Sequence, residues 1–175
     1  MKNASVAVLV FLCLAQPVCA APVTFVVGRF TFTVPDGWKK VLPSSPTRKA
    51  QLEVGGGDAK AEVTFFHFGM GGGSVADHVA RWVAQFPGSE ANRKSETVEV
   101  GGVKITFAET AGTFSSGMPG GPTTPLADYA LRGAILENKE SGDVYVKMTG
   151  PKAVVEGAAA AFQKMVKDAA QPAAH

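Results

Sequence analysis

Hydrophobic and polar residues alternate along several short segments of the chain, and this period of two predicts β-strands. Residues 22–34 contain two such segments joined at Gly28-Arg29. A glycine in the first position of a two-residue turn is typical of a type II′ hairpin. Three further antiparallel pairs are predicted, joining 49–54 to 60–68, 96–100 to 103–109 and 128–138 to 143–150.

Two segments instead show the 3.6-residue period of an amphipathic helix. The first begins at Ser74 and ends before Pro87-Gly88, and the second begins at Pro151, a residue type favoured in a first helical turn. Their apolar stripes are Val75, His78, Val79, Trp82 and Phe86 in the first helix and Val154, Ala158, Phe162, Met165 and Val166 in the second. The predicted fold class is α+β, a twisted antiparallel β-sheet with two main helices packed on it.

The glycine run at 69–74, GMGGGS, lies between a predicted strand and the first helix. Backbone N–H groups in such a position can bind a phosphate. The run lacks, however, both the third glycine of G-x-G-x-x-G and the Lys-Ser/Thr of a Walker loop. Ser74 and Asp77 instead form an S-x-x-D capping box, which satisfies the first N–H groups of the helix internally. We therefore expect a flexible connection and a capped helix.

The order of these elements, together with FTVPDGW at residues 32–38, resembles the PsbP/Mog fold. This fold, an α/β/α sandwich, occurs in extrinsic proteins of photosystems, a Ran-binding nuclear protein and small periplasmic bacterial proteins. The middle of the chain, EVTFFHFGMGGGS followed by RWVAQF, also resembles a family of exported bacterial proteins of unknown function. The resemblance implies an accessory or protein-binding role without catalysis, and it supplies no catalytic residue.

The first twenty residues predict an export signal. Lys2 precedes an apolar run from Val6 to Ala15, and Val18 and Ala20 occupy the small-residue positions of a cleavage site. Because a bilayer span needs about 20 apolar residues, we expect cleavage rather than a transmembrane segment, and no lipid anchor. The expected product is periplasmic or extracellular. The expected organisation is a signal peptide at 1–20, a single α+β domain at 21–170 and a frayed tail at 171–175.

Composition argues against several classes of function. Both cysteines, Cys13 and Cys19, lie in the predicted signal, so the mature chain offers no disulfide, thiolate metal site or cysteine nucleophile. The chain has 17 Lys and Arg against 15 Asp and Glu. Because nucleic-acid-binding domains concentrate basic residues on one face, this balance argues against a nucleic-acid partner.

The sequence contains candidate catalytic and metal-binding residues, but their pattern does not place them together in one site. His67, His78 and Asp77 are residue types that bind zinc or copper, but Asp77 lies about 100° around the helix from His78. His67 has the parity of the buried strand positions, which favours a hydrogen bond within a packed layer. Ser115 and Ser116 have no identifiable base, and the scattered acids nominate no carboxylate pair. We expect no metal, no cofactor and no catalytic residue.

The segment 112–127 is the main candidate for a binding surface. It is rich in Gly, Pro, Ser and Thr and predicts a long loop, which composition leaves open as functional or disordered. Phe114, Met118 and Leu126 place apolar side chains in it. Apolar anchors in a Pro-rich segment suit a protein partner, because such a segment loses little freedom on docking.

Arg81 and Gln85 form a second candidate surface. They lie at i and i+4 on the exposed side of the first helix. Such a pair is either a partner-binding edge or an ordinary solvated face.

The sequence therefore favours an exported, non-catalytic accessory or protein-binding module with a protein partner in the cell envelope. The alternative is a small-ligand or hydrolytic site in a cleft between the 69–74 and 112–127 loops. For the first function, we expect replacement of residues 115–125 by a short linker to remove a protein partner without changing the melting temperature. For the second, we expect a thermal shift with a small molecule or metal.

Overall fold

The computed structural model describes residues 21–57, 59–117 and 122–172. In this part of the chain the strands are β1 (Thr24–Val27), β2 (Phe30–Thr33), β3 (Lys39–Val41), β4 (Arg48–Gly56), β5 (Ala59–His67), β6 (Lys94–Val100), β7 (Val103–Gly117), β8 (Thr123–Leu136) and β9 (Val144–Pro151). The α-helices are α1 (Val75–Val83), α2 (Lys152–Gly157) and α3 (Ala159–Ala170), with 3₁₀ turns at Gly69–Gly71 and Glu90–Asn92. The predicted signal peptide lies outside the described residues.

Seven of the strands form one antiparallel sheet in the order β3-β4-β5-β9-β8-β7-β6, while β1 and β2 form a separate hairpin. All four predicted hairpins are present. In the first, Val27 pairs with Phe30 across Gly28, whose φ of +57° suits a turn that begins with glycine. The prediction of an α+β fold with an antiparallel sheet is confirmed.

One face of the sheet, termed here the α3 face, carries the larger core. The β1–β2 hairpin, α2 and α3 pack on it. The rings of Phe25 and Phe32 lie 4.9 and 5.0 Å from the ring of Phe65 on β5, and Phe162 of α3 is fully buried beside them in the same cluster. Because each such side chain contributes about 1.5–3 kcal/mol on burial, this layer supplies most of the apolar stabilisation.

The opposite face, termed the α1 face, is covered by α1 over β7 and β8. Trp82 and Phe86 are buried there together with Leu131 and Ile135, which confirms the apolar stripe predicted for the first helix. A Cβ at Gly133 of β8 would lie 2.2 Å from the Trp82 ring, so only glycine lets the indole rest on the strand. Among the described residues, α1 contacts the sheet mainly at β7 and β8, and its His78 ring also reaches Tyr145 of β9.

The prediction of a long loop at 112–127 is wrong over its described residues. β7 continues to Gly117 and β8 begins at Thr123, and the two strands pair from Phe114↔Leu126 to Gly117↔Thr123. A register shift between Gly112 and Phe114 separates this pair of strand ends, termed the β7–β8 arm, from the rest of the sheet. Glycine, proline and hydroxyl side chains obscure the alternation of apolar and polar residues that predicts a strand. The ends of β7 and β8 nevertheless form an antiparallel pair.

The C-terminal helix also differs from its prediction. The segment after Pro151 forms two helices, α2 and α3, which meet at Ala158. Gly157, which ends α2, has a low helix propensity and permits this break. The predicted apolar positions Phe162, Met165 and Val166 are nevertheless buried.

Candidate functional site

An aromatic groove of about 370 Å³ opens on the α1 face, at the edge of α1. It lies between the end of β5, the 3₁₀ turn that follows it, α1 and β9. Its principal side chains are Phe66, Phe68, His78, Arg81, Trp82 and Tyr145.

His78 and Tyr145 form the floor of the aromatic groove. Their rings stack with centroids 3.9 Å apart. The His78 Nε2–H donates to the backbone carbonyl of Gly72, which fixes the imidazole against the glycine turn. Burial lowers the pKa of His78, and the nearby Arg81 acts in the same direction against the hydrogen bond to Gly72. The neutral imidazole is therefore the form that the fold favours.

Close packing against Tyr145 requires a glycine at position 72. A Cβ at this position would lie 2.5 Å from the Tyr145 hydroxyl. The glycine run thus lets the turn approach the β9 tyrosine closely. Burial raises the pKa of Tyr145, and the negative charge of Asp143 raises it further, so the hydroxyl stays protonated at neutral pH.

Two large apolar side chains are exposed here, Phe68 in the lining of the aromatic groove and Met70 in the 3₁₀ turn that borders it. Phe68 is 48% exposed and Met70 is 72% exposed. Phe68 still stacks on Phe66, with ring centroids 5.9 Å apart. Stacking on Phe66 holds Phe68 in place, whereas the flexible Met70 side chain can adapt to a partner.

Lys147 lies next to the aromatic groove, two residues along β9 from Tyr145 and on the same face of the sheet. Its ammonium donates to the Gln85 Oε1 of the α1 C-terminal turn and lies 5.5 Å from the centre of the Phe114 ring. Burial lowers the pKa of Lys147 to about 8, although the negative charge of Glu62 partly opposes this and Arg48 reinforces it. The fold thus holds a cation where its charge is poorly solvated.

A hydrogen-bonded network borders Lys147 on β4 and β5. Arg48 Nη1 lies 2.8 Å from Glu62 Oε2, and Gln51 Nε2 donates to the same carboxylate oxygen at 2.8 Å. Arg48 also donates to Gln51 Oε1 at 3.1 Å. Glu62 is thereby neutralised within its own network rather than by Lys147.

The structure brings together some of the residues singled out from the sequence. Gln85 and Phe114 meet at Lys147, and Arg81 lines the aromatic groove one helical turn before Gln85. Leu126 lies opposite Phe114 in the β7–β8 arm. Met118 lies outside the described residues.

Sequence reasoning missed Lys147, Tyr145 and Phe68. The signal for Lys147 was present, because the strand DVYVKMTG places a lysine between apolar residues on alternate positions. A lysine in a strand of that kind faces either water or a partly buried polar site, and the pattern alone does not distinguish them.

Over their described residues, the 69–74 and 112–127 segments do not line one common groove. The aromatic groove is lined by Gly71 and Gly72 but by no residue of the β7–β8 arm. Gly112 and Thr113 instead line a cavity on the opposite, α3 face. The two segments are separated because α1 and its C-terminal turn lie between them, with Gln85 accepting a hydrogen bond from the Ser115 N–H.

The other sequence candidates have structural roles. The Ser74 hydroxyl accepts from the Asp77 N–H, so the predicted serine cap is confirmed. The Asp77 carboxylate accepts from the Ser74 hydroxyl at 2.7 Å rather than from the Ser74 N–H of a capping box. His67 Nε2–H donates to the Ser141 carbonyl at 2.9 Å. In residues 21–57, 59–117 and 122–172, no three His, Cys, Asp or Glu side chains form a metal-like cluster.

The helices of the described chain include none that is both long and apolar enough to cross a membrane.

Comparison with known proteins bears on the fold. No family model matches the sequence, and no curated protein is significantly similar to it. The solution structure of cyanobacterial PsbP from Synechocystis sp. PCC 6803 matches with a TM-score of 0.52 at 13% identity, over 89% of this chain and 95% of that one. A Pseudomonas aeruginosa protein of unknown function, PA94, matches with a TM-score of 0.46 at 15% identity, over 83% of this chain and 94% of that one. The predicted resemblance to the PsbP fold is thus confirmed, and the chain has a PsbP-like α+β fold.

Proposed function

We propose that this chain is an exported, non-catalytic accessory module that binds a protein partner in the cell envelope through the α1 face of its sheet. The observation that carries the proposal is the exposure of Phe68 in the aromatic groove and of Met70 in the adjoining 3₁₀ turn. Large apolar side chains gathered at a concave, partly aromatic surface are typical of interaction sites. The PsbP-like fold supports the non-catalytic part of the proposal.

Two neighbouring elements extend the proposed contact surface. Arg81 lies at the edge of the aromatic groove, and the β7–β8 arm continues the same face beyond α1. Phe114 of the arm stacks on Tyr129 with ring centroids 5.9 Å apart, so this part of the arm is anchored to the sheet. A surface that combines aromatic, Met and Arg side chains has the composition enriched in protein interfaces.

The proposal is tested by partner recovery with matched surface variants. The mature chain, the double variant Phe68→Ser/Met70→Ser and the control Val26→Ser are incubated with native envelope extract, and bound proteins are identified by mass spectrometry. Val26 is 64% exposed on β1, away from the aromatic groove. A protein recovered with the mature chain and the control but lost with the double variant supports the proposal. Equal recovery by all three chains contradicts it.

Export is part of the proposal and has its own test. The chain is expressed in a Gram-negative host, the periplasmic fraction is isolated, and the first residue is determined by N-terminal sequencing. We expect Ala21, because the small residues Val18 and Ala20 precede the predicted cleavage point. A product that begins at Met1 and stays in the cytoplasm would contradict it.

A small-ligand site is the second candidate function. It is favoured by two adjoining cavities on the α3 face, of about 600 and 430 Å³, which share Lys94, Glu109 and Arg132. Glu109 Oε2 lies 2.7 Å from Arg132 Nη1, so polar groups converge between the cavities. A metabolite that raises the melting temperature of the mature chain but not of Arg132→Met would support this function.

A further inference from the structure

Lys147 is a cation without a carboxylate partner among the described residues. One of its three N–H donors is used by the Gln85 amide, and the Phe114 ring adds only a cation–π contact. Glu62, whose charge acts on Lys147, is held by Arg48 and Gln51. Two ammonium donors are therefore left for a group from outside the chain.

The position of Lys147 relative to the aromatic groove is defined by β9. Tyr145 and Lys147 project from the same face of the strand, two residues apart, which corresponds to about 7 Å along an extended chain. An extended peptide has the same spacing between its own side chains at i and i+2. One side chain of such a peptide can enter the groove while the next on that side reaches the ammonium.

We propose that the partner presents an extended segment in which an apolar or aromatic residue stands two positions from an Asp or Glu. The apolar side chain packs against the exposed Phe68 ring in the aromatic groove, and the carboxylate accepts hydrogen bonds from Lys147. This inference rests on the proposed protein-binding function and specifies the chemistry of the partner.

Charge complementarity supports an acidic occupant. Arg81 is exposed at the edge of the groove and adds a second cation along the path of the peptide. Burial already disfavours the charged form of Lys147 and lowers its pKa. A bound carboxylate would reverse this effect, since an opposite charge within hydrogen-bond distance favours the ammonium.

The test uses three synthetic peptides with the mature chain. The first has the sequence Gly-Ser-Phe-Thr-Glu-Ser-Gly, the second replaces its Glu with Gln, and the third replaces its Phe with Ala. Binding is measured by amide chemical-shift titration of the ¹⁵N-labelled chain. We expect the Glu peptide to bind about five- to ten-fold more tightly than the Gln peptide. We also expect the Ala peptide to bind more weakly than the Glu peptide, with shifts mapped to β9 and α1.

Lys147→Met is the diagnostic variant, and Lys139→Met, at an exposed lysine in the β8–β9 turn, is its control. Lys147→Met should abolish the preference for Glu over Gln, whereas the control should retain it. In protein labelled with ¹³C at the lysine Cε, the Glu peptide should raise the pKa of Lys147. Equal affinity of the Glu and Gln peptides, a preference that survives in Lys147→Met, or shifts confined to the α3 face would each overturn the inference.

The inference and the proposed function can fail separately. An envelope partner that is lost with Phe68→Ser/Met70→Ser but retained with Lys147→Met would uphold the proposed function and overturn the acidic-peptide inference. A concentration-dependent dimer of the mature chain that Lys147→Met abolishes would show a second copy as the occupant, and would likewise overturn it.

Discussion

Replacing Lys147 with methionine is expected to stabilise the isolated protein at neutral pH. The fold lowers the pKa of Lys147 from its ordinary value of 10.5 to about 8. The unfolded chain therefore holds this proton more firmly than the folded chain, and protonation favours unfolding. Methionine keeps most of the apolar volume of the side chain and removes the poorly solvated charge.

The magnitude follows from the size of the pKa change. The pKa of Lys147 falls by about 2.5 on folding. At about 1.36 kcal/mol per pKa unit, this fall destabilises the folded state by at most about 3.4 kcal/mol. Lys147 is only half-buried, and the variant also loses the bond to Gln85, so we expect a net gain of about 1–2 kcal/mol at pH 7. The destabilisation of the folded state by protonated Lys147 is fully present below pH 8 and disappears as the pH rises toward 10.5.

The assay is urea denaturation of the mature chain, Lys147→Met and the control Lys139→Met at pH 7 and pH 9, followed by far-UV circular dichroism. The stability advantage of Lys147→Met should shrink by about 1 kcal/mol between the two pH values, because the wild-type lysine loses its proton in the folded state. The raised pKa of Tyr145 keeps that hydroxyl protonated at pH 9. An advantage that is equal at both pH values, or a destabilised variant at pH 7, would show that the charge of Lys147 does not destabilise the fold.

Three other predictions concern the elements that build the α1 face. Because burial lowers the pKa of His78, the wild type should lose stability as the pH falls below 6.5, and His78→Gln should show a smaller loss in parallel melts at pH 7 and pH 5. Gly133→Ala should cost about 1–3 kcal/mol by urea denaturation, because its Cβ overlaps the Trp82 ring. Gly56→Ala, which meets no atom within 4 Å, should change stability by less than about 0.5 kcal/mol. Ser74→Ala should cost about 1 kcal/mol through loss of the α1 cap, and an unchanged urea midpoint would contradict the capping role.

The hairpins and the first helix could be predicted because their signals are local. The β1–β2 and β6–β7 turns carry glycines at the positions that require a positive φ, Gly28 in the first and Gly101 and Gly102 in the second. The first helix begins at a capping serine and keeps its apolar stripe. Both features depend on residues a few positions apart, which a single sequence displays.

The β7–β8 arm could not be predicted, because its pairing depends on the other strand rather than on its own composition. Phe114 and Leu126 face each other across twelve positions of sequence, and the intervening Gly and Pro residues obscure the alternation. The contacts around Lys147 could not be predicted either, because they also join residues that are distant in the sequence. Gln85 and Lys147 are 62 positions apart and meet only because α1 packs over β8 and β9 lies beside it.

Site-specific photo-crosslinking in living cells tests most directly whether the aromatic groove binds a protein partner. p-Benzoylphenylalanine is placed at position 68, at the rim of the groove, or at position 26, which is exposed on β1. We expect a crosslinked adduct of defined mass from position 68 that is absent from position 26. No adduct from position 68, or the same adducts from both positions, would contradict the claim that the α1 face is a binding surface.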